Sequence, residues 1–280
     1  AQNSGITTVN RLKVTYAQAS VLPLDTNDRV VDLDVTGLNL TGASVIVDLS
    51  NFAGTTTITY TGGRGSETVI VPTVSGALHF DGKAGNDRLV IESNANGSEL
   101  TVATLAGITG GTGTDTLNVI GKVDFSSIEA GGLSDFEVLM IEVPSWATDE
   151  FETAVTLTAS QLSSLSSITV DGDNPAALVK VYVKQGSGSA AVTLSDDFSV
   201  SDRVQLVIEA GVTITMQAAD ANFESISGDG SINLIGSLTI SQALRFAQIL
   251  SGTVTISNTS ATAVELNNLD TTSDAVFDVS

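Results

Sequence analysis

Three glycine-rich turns of one design recur between residues 60 and 121, and each leads directly into an apolar strand pattern. The segments are YTGGRGSETVIV (60–71), FDGKAGNDRLVI (80–91) and ITGGTGTDTLNVIG (108–121). In each segment a second glycine follows the first by three residues, an acid comes two positions later, and apolar residues alternate beyond it. Because glycine adopts turn conformations that other residues resist, a repeated glycine pattern predicts a repeated backbone path.

The repeat predicts columns of equivalent residues. From the residue before each turn to the end of each strand, the columns are Tyr60, Phe80 and Ile108; Gly62, Gly82 and Gly110; Glu67, Asp87 and Asp115; Val69, Leu89 and Leu117; and Val71, Ile91 and Val119. A weaker fourth copy, EAGGLSDFEVLMIE (129–142), keeps Gly131, Gly132 and Val138. We expect Val138 to extend the apolar column of Leu117, since alternate residues of a strand share one face.

The first glycines of the four copies are separated by 20, 28 and 21 residues. Strands that return at this interval, with no long helical pattern between them, predict an all-β fold of the parallel β-solenoid kind, resembling a β-helix or β-roll. In such a fold each coil stacks on the previous one and buries its apolar columns. A sandwich of antiparallel strands is the alternative, because strands punctuated by turns suit that fold too.

The second half of the chain carries a different pattern. Residues 142–154 (EVPSWATDEFETA) hold the only tryptophan and one of four prolines, and they predict a junction. We therefore divide the chain into a β-solenoid with glycine–acid turns over 1–143 and a second β-rich solenoid segment over 144–280. Stretches such as LTASQLSSLSSITV (157–170) and SQALRFAQIL (241–250) allow short helical turns before β-rich runs.

The charge of the chain is strongly one-sided. Its 280 residues include 32 acids and 11 bases, which gives a net charge of −21. This balance argues against nucleic acid and anionic membrane surfaces as partners, and it favours divalent cations. Cysteine is absent, so disulfides and thiolate metal sites are excluded. No apolar run approaches the roughly 18 residues that a membrane-spanning helix needs, and we expect no membrane insertion.

The turn GGTGTDTLN (110–118) resembles the nonapeptide G-G-x-G-x-D-x-U-x, the calcium-binding repeat of RTX proteins. GKAGNDRLV departs from it at Lys83, and GGRGSETVI departs at Glu67. The resemblance covers about residues 56–142. In that family the turns of successive coils hold calcium between backbone carbonyls and aspartate side chains, which suits a cation that prefers six to eight oxygen ligands.

This resemblance implies Ca²⁺ as the bound ion. It implies Asp87 and Asp115 as ligands, with Glu67 as a further one. We add Asp81 as a candidate, because it stands directly before the second turn.

Two further segments, GGLSDFEVLMIE (131–142) and TASQLSSLSSITVDGD (158–173), resemble coils of bacterial surface-layer proteins that carry RTX-like repeats and leave the cell by type I secretion. The resemblance implies an extracellular, cell-surface structural protein whose main partner is itself, in a self-assembled layer, with cell-surface polysaccharide as a second partner. Acidic turns repel one another until cations arrive, so the free energy of ion binding would become free energy of folding. The ending DTTSDAVFDVS (270–280) alternates acids with apolar residues, as many type I export signals do, or is a last strand.

The sequence favours a protein that is not an enzyme. His79 is its only histidine and lies between apolar neighbours, and we expect it to be an ordinary strand residue. Neither a G-x-S-x-G elbow nor an H-E-x-x-H motif occurs. Two alternatives stay open. One is a secreted adhesin or biofilm-matrix module, and the other is an extracellular polysaccharide-active enzyme that uses carboxylate pairs such as Asp196 and Asp197.

Overall fold

The structure is a computed structural model that describes most of the central part of the chain. The described residues are 11–13, 30–34, 44–49, 57–71, 77–93, 99–129, 131–144, 153–172, 178–218, 226–236, 254–257 and 277–279. Within them the protein is almost entirely β-structure, and the paired strands run parallel. The expectation of an all-β fold is confirmed. Parallel pairing excludes an antiparallel sandwich for these residues.

The described strands form four sheets, and neighbouring strands within each sheet are hydrogen-bonded to each other. Sheet I contains β1 (Arg11–Lys13), β3 (Ser44–Asp48), β5 (Ser66–Val71), β7 (Arg88–Glu92), β10 (Thr116–Ile120), β13 (Val138–Glu142), β15 (Ser167–Asp171) and β18 (Ser199–Val200). Sheet II contains β2 (Val30–Asp34), β4 (Thr57–Thr61), β6 (Ala77–Asp81), β9 (Ala103–Thr109) and β12 (Leu133–Ser134). Sheet III contains β8 (Leu100–Thr101), β11 (Lys122–Asp124), β14 (Ala154–Thr158), β16 (Val179–Lys184), β19 (Val204–Ile208) and β21 (Ile226–Gly228). Sheet IV contains β17 (Ala191–Thr193), β20 (Thr213–Gln217), β22 (Ser231–Ile235), β23 (Val254–Ser257) and β24 (Phe277–Val279).

The chain visits these sheets in rotation. Up to β7 the described strands alternate between sheets I and II, from β8 to β19 they also enter sheet III, and after β18 they belong to sheets III and IV. We call each return of the chain to the same sheet a pass. Each strand therefore pairs with the strand that the next pass adds to its sheet. In sheet I, for example, Thr116 pairs with Arg88 of the previous pass and with Val138 of the next.

Alternating side chains explain why these segments are strands with one buried face. In β5 the residues Glu67, Val69 and Val71 point inward, and Ser66, Thr68 and Ile70 face outward. The predicted apolar columns form as expected: Val69 pairs with Leu89, and Leu89 pairs with Leu117, all at most 1% exposed. The column of Tyr60, Phe80 and Ile108 also forms, in sheet II.

The fourth copy corrects one register expectation. Leu117 pairs with Leu139, which is fully buried, and Val138 pairs with Thr116 and is only half-buried. The expectation that Val138 extends the apolar column is therefore wrong by one residue. The glycines of this copy explain the error, because Gly132 stands before β12, where its carbonyl accepts from the N–H of Ile108, and not in the turn before β13.

A single described helix, α1 (Ala159–Ser163), connects β14 to β15. Thr158 caps it: its side chain accepts from the N–H of Gln161 at 3.2 Å, and Gln161 Oε1 accepts from the N–H of Thr158 at 2.8 Å. The helix packs against β17, and it lies in the chain between the last strand of sheet II and the first of sheet IV. The prediction of a short helical turn here is confirmed, and the one at 241–250 lies outside the described residues.

Strand pairing crosses the division drawn at residue 143. Strands β13 and β15 pair in sheet I, and β11 and β14 pair in sheet III. Most of the junction segment, residues 145–152, lies outside the described residues, and the two-domain division stays a prediction. No helix in the described ranges has the length and apolar character to cross a membrane.

Candidate metal centre in the glycine-rich turns

The three glycine-rich turns stack with their backbones in close contact. The N–H of Gly62 donates to the carbonyl of Asp81 at 2.7 Å, and the N–H of Gly82 donates to that of Thr109 at 3.0 Å. A Cβ atom added at Gly82 would lie 2.2 Å from the carbonyl oxygen of Gly110 and 2.7 Å from Asp87 Oδ2. The first glycine of each turn is therefore required by space, since any side chain would push successive turns apart.

The acids that follow these turns point inward and form a continuous row. Glu67, Asp87 and Asp115 are each at most 1% exposed. The N–H of Glu67 donates to Asp87 Oδ1 at 2.7 Å, and the N–H of Asp87 donates to Asp115 Oδ1 at 2.6 Å. The N–H of Asp115 donates in turn to Glu137 Oε2 at 2.7 Å. We call these four residues, Glu67, Asp87, Asp115 and Glu137, the carboxylate column.

Each of the three buried acids keeps one oxygen without a partner. Among the described residues, Glu67 Oε1, Asp87 Oδ2 and Asp115 Oδ2 are buried and accept no hydrogen bond. Buried polar atoms almost always have partners, and an uncompensated buried carboxylate is far more costly than a neutral group. The column is therefore an arrangement that calls for a proton or a cation beside each free oxygen.

Burial has a direct effect on the charge of the column. It raises the pKa of Glu67, Asp87 and Asp115, and that of Asp87 reaches about 7. The N–H of Glu67 opposes the effect of burial on the pKa of Asp87 in part, and the charges of Glu67 and Asp115, together with a side-chain hydrogen bond to Glu67, raise this pKa further. In the described residues no basic side chain lowers any of the three values. Any negative charge that the column carries near neutral pH is therefore not balanced by a basic side chain of the described residues.

The oxygen atoms around the column match the chemistry of a hard cation. Glu67 Oε2 and the carbonyl oxygen of Gly82 both lie within 3 Å of the position of an added Gly62 Cβ, and Gly82 has the corresponding neighbours in Asp87 Oδ2 and the Gly110 carbonyl. Carboxylates and backbone carbonyls are the ligands that calcium prefers. Within the described ranges no three His, Asp or Glu side chains converge as a ready metal cluster, because successive acids stand one strand apart. Backbone carbonyls would have to supply the remaining ligands.

The structure brings three of the four predicted ligands together. Glu67, Asp87 and Asp115 are consecutive members of the column, and Asp81 lies apart from them. Asp81 points outward from β6, forms an ion pair with Lys83 at 2.5 Å, and accepts from the N–H of Lys83 at 3.2 Å. Its position fits a role in holding the turn, because Lys83 adopts a left-handed φ of 72° where the consensus repeat has glycine.

Sequence reasoning missed the fourth member of the column, Glu137. It stands two residues before Leu139, as Asp115 stands two residues before Leu117, so its position follows once the register is known. The glycines of the fourth copy hid this relation because they belong to a different turn, the one before β12. The lone histidine behaves as an ordinary strand residue: His79 is half-buried, and its Nδ1 hydrogen-bonds the carbonyl oxygen of Gly107 at 3.0 Å.

Comparison with known proteins found no match, so a function can be argued only from the geometry of the carboxylate column. No protein-family model matches the chain, and neither a curated protein nor a solved structure matches it. The RTX resemblance thus depends on the turn motifs themselves.

Proposed function

We propose that this chain is a parallel β-solenoid stabilised by calcium in its glycine-rich turns, and that it serves as a self-assembling structural protein of a bacterial extracellular surface layer. The observation that carries the proposal is the carboxylate column, with a buried and unpartnered oxygen on Glu67, Asp87 and Asp115. These oxygens belong to the same motif that resembles the RTX repeat.

The order of the strands supports the solenoid. From β1 to β22, strands adjacent in a sheet are separated in the described chain by one or two visits to other sheets, so each pass of the chain hydrogen-bonds to the next. Repeats of this kind contact mainly their neighbours, and stability accumulates along the stack.

The column supports calcium as the stabilising ion. Glu67, Asp87 and Asp115 would hold it, together with carbonyl oxygens of the turns. The bound ion would supply the positive charge that the described residues around the column do not provide. Folding without the ion places like charges one strand apart, so ion binding and folding are coupled. The net charge of −21 adds to this dependence, because divalent cations reduce the repulsion of the whole chain.

The proposed structural role in a layer depends on the rigidity of the calcium-loaded stack. Millimolar calcium outside the cell would load the turns after export and make the stack rigid. Rigid parallel stacks offer strand edges and repeated faces to further copies of themselves. Cell-surface polysaccharide is the second partner that we propose.

Thermal unfolding with and without a calcium chelator tests the ion-dependent part. At calcium about a hundredfold above its Kd we expect about 2.7 kcal/mol of stabilisation, or about 5–10 °C in Tm. The double variant D87N/D115N should lose this shift. D81N is the matched control, because Asp81 carries the same side chain outside the column, and it should keep the shift. An unchanged Tm on chelation of the wild-type protein would overturn the proposal.

Electron microscopy of the calcium-loaded protein tests the layer. Ordered sheets that disappear on chelation would support it. A monomer that stays dispersed in calcium and binds surface polysaccharide would replace the layer by the adhesin alternative, while the calcium column would still stand.

A further inference from the structure

Tyr60 is buried in the first pass of the repeat with an unused polar group. The residue is 0% exposed and its ring stacks on Phe80, with the ring centroids 5.5 Å apart and an angle of 12° between the planes. Its hydroxyl oxygen has no hydrogen-bond partner among the described residues. A fully buried hydroxyl without a partner is costly, and the ring alone would be satisfied by phenylalanine.

The side chains of Tyr60 and Glu67 face the interior from the two ends of one turn. Tyr60 is the last inward residue of β4, and Glu67 is the first inward residue of β5. Burial, and then the charges of Glu67 and Asp87, raise the pKa of Tyr60 well above its ordinary value. The phenol therefore stays neutral, and its hydroxyl is within electrostatic reach of both carboxyls.

The later passes differ from the first at both of these positions. Phe80 and Ile108 occupy the register position of Tyr60, and aspartate occupies that of Glu67. The first pass thus combines the hydroxyl of tyrosine with the longer side chain of glutamate. The next two passes combine an apolar side chain with the shorter side chain of aspartate. Tyr60 Oη, Glu67 Oε1 and Asp87 Oδ2 are all buried and have no hydrogen-bond partner among the described residues.

We propose that the Tyr60 hydroxyl completes the first row of the cation site, between Glu67 and Asp87, as a neutral oxygen ligand that acts directly or through one bridging water. The row between Asp87 and Asp115 lacks such an oxygen, so the column holds two kinds of cation position. This inference rests on the proposed calcium column and adds a ligand that the turn motif does not contain.

Terbium luminescence tests the inference, because a nearby tyrosine sensitises bound Tb³⁺. The measurement uses the full chain with the change W146F, which removes the only tryptophan as a competing sensitiser. We expect emission on excitation of tyrosine, loss of most of it in Y60F, and its displacement by added calcium. Y182F is the matched control, because Tyr182 faces outward from β16 in sheet III, and it should keep the emission.

Calorimetric titration with calcium gives the second readout. Y60F should weaken one class of sites about tenfold, the size expected for one lost neutral contact, and leave the other class unchanged. In thermal unfolding, the effect of Y60F on the Tm should change sign between the two conditions. Y60F should raise the Tm in chelator, where the buried hydroxyl has no partner, and lower it in calcium. A purely packing role would shift both Tm values in the same direction.

The outcomes separate the two proposals. If Tb³⁺ and Ca²⁺ stabilise the wild-type protein and Y60F equally, with the same emission, the Tyr60 inference is wrong and the calcium column stands. If neither ion stabilises any variant, the column itself is wrong. With Tyr16 and Tyr182 also changed to phenylalanine, Tyr60 is the only tyrosine left in the W146F chain. Tb³⁺ emission from that chain then reports on Tyr60 without a Tyr60 variant, and its absence would overturn the inference even if Y60F fails to fold.

Discussion

The two halves of this molecule share one backbone plan and differ in what they bury. In the described residues from 57 to 142 the buried polar side chains include three carboxyls, those of Glu67, Asp87 and Asp115. In the described residues from 153 to 236 the buried polar side chains are neutral, and they are Thr153, Thr156, Thr158 and Gln161. Parallel pairing is continuous across both regions. The same sheets can therefore be built around charged turns or around neutral ones.

The C-terminal turns place their acids at the surface. Asp196 and Asp197 are exposed, and Asp196 Oδ1 accepts from Gln217 Nε2 at 2.8 Å. The chain itself supplies a partner for Gln161, whose Nε2 donates to the carbonyl of Phe125 at 3.0 Å, whereas Thr153 Oγ1 is buried without a hydrogen-bond partner among the described residues. Under the proposed function, the N-terminal half would depend on ions and pH, whereas the buried polar side chains of the described C-terminal residues are neutral.

The largest expected effect is a pH dependence confined to the N-terminal half. Burial raises the pKa of Asp87 from 3.8 to about 7, so the folded state binds this proton more tightly than the unfolded state. In chelator its contribution is fully present below pH 4 and is lost as pH rises to about 7, by up to about 4 kcal/mol at about 1.4 kcal/mol per pKa unit. Denaturant unfolding from pH 4 to pH 8 measures this loss.

D87N is the control for the pH profile, because its side chain cannot take up the proton. The difference in unfolding free energy between wild type and D87N should shrink or change sign across this window. A difference that is independent of pH would contradict the charged column. Peptide-resolved hydrogen exchange should place the loss in residues 57–142 and leave residues 178–218 unchanged.

The next effect tests where the N-terminal half ends. L139A should cost about 3 kcal/mol, because Leu139 is fully buried and continues the column of Leu117. V138A should cost less than about 1 kcal/mol, because Val138 is half-buried on the outward face. Denaturant unfolding at fixed calcium compares the two. Equal costs would mean that the register, and with it the place of Glu137, is wrong.

A smaller effect separates turn spacing from turn conformation. G82A should cost about 2 kcal/mol, since its Cβ would meet the backbone of the next turn. G131A should cost about 1 kcal/mol, because Gly131 has a φ of 82° and nothing within 4 Å of an added Cβ. G82A should also weaken calcium binding, and G131A should not. Calorimetry on both variants checks this, and a calcium affinity unaffected by G82A would disconnect the glycines from the column.

The smallest effect belongs to the C-terminal half. T158A removes the cap of α1 and should cost about 1 kcal/mol. The cost should be the same in calcium and in chelator, and the same at pH 5 and pH 8. Thermal unfolding under the four conditions measures it. A calcium-dependent cost would show that the two halves are coupled more tightly than their buried groups indicate.

Much of the N-terminal half could be predicted from the sequence, because its repeat carries the register. The equal spacing from Gly62 to Val69, from Gly82 to Leu89 and from Gly110 to Leu117 fixes which residues pair, and the structure has those pairs. Strand alternation then sends the acids inward, two residues before each apolar position. The resemblance to the RTX repeat then implies Glu67, Asp87 and Asp115 as ligands, and the structure places all three side chains inward.

The remaining errors have physical causes. The turn before β13 is shorter than its counterparts, so the glycine spacing that sets the register is absent there, and Glu137 escapes prediction for the same reason. Asp81 stands next to a turn glycine in sequence, and strand alternation places it on the opposite face from Phe80.

The staggered ends of the four sheets have a mechanical consequence. Among the described strands, sheet II ends with β12 and sheet IV begins with β17, but sheets I and III both continue through that interval. Tension applied along the stack would thus be resisted by hydrogen bonds of at least two sheets at each level of this interval. In this described interval, therefore, no single sheet carries the whole load.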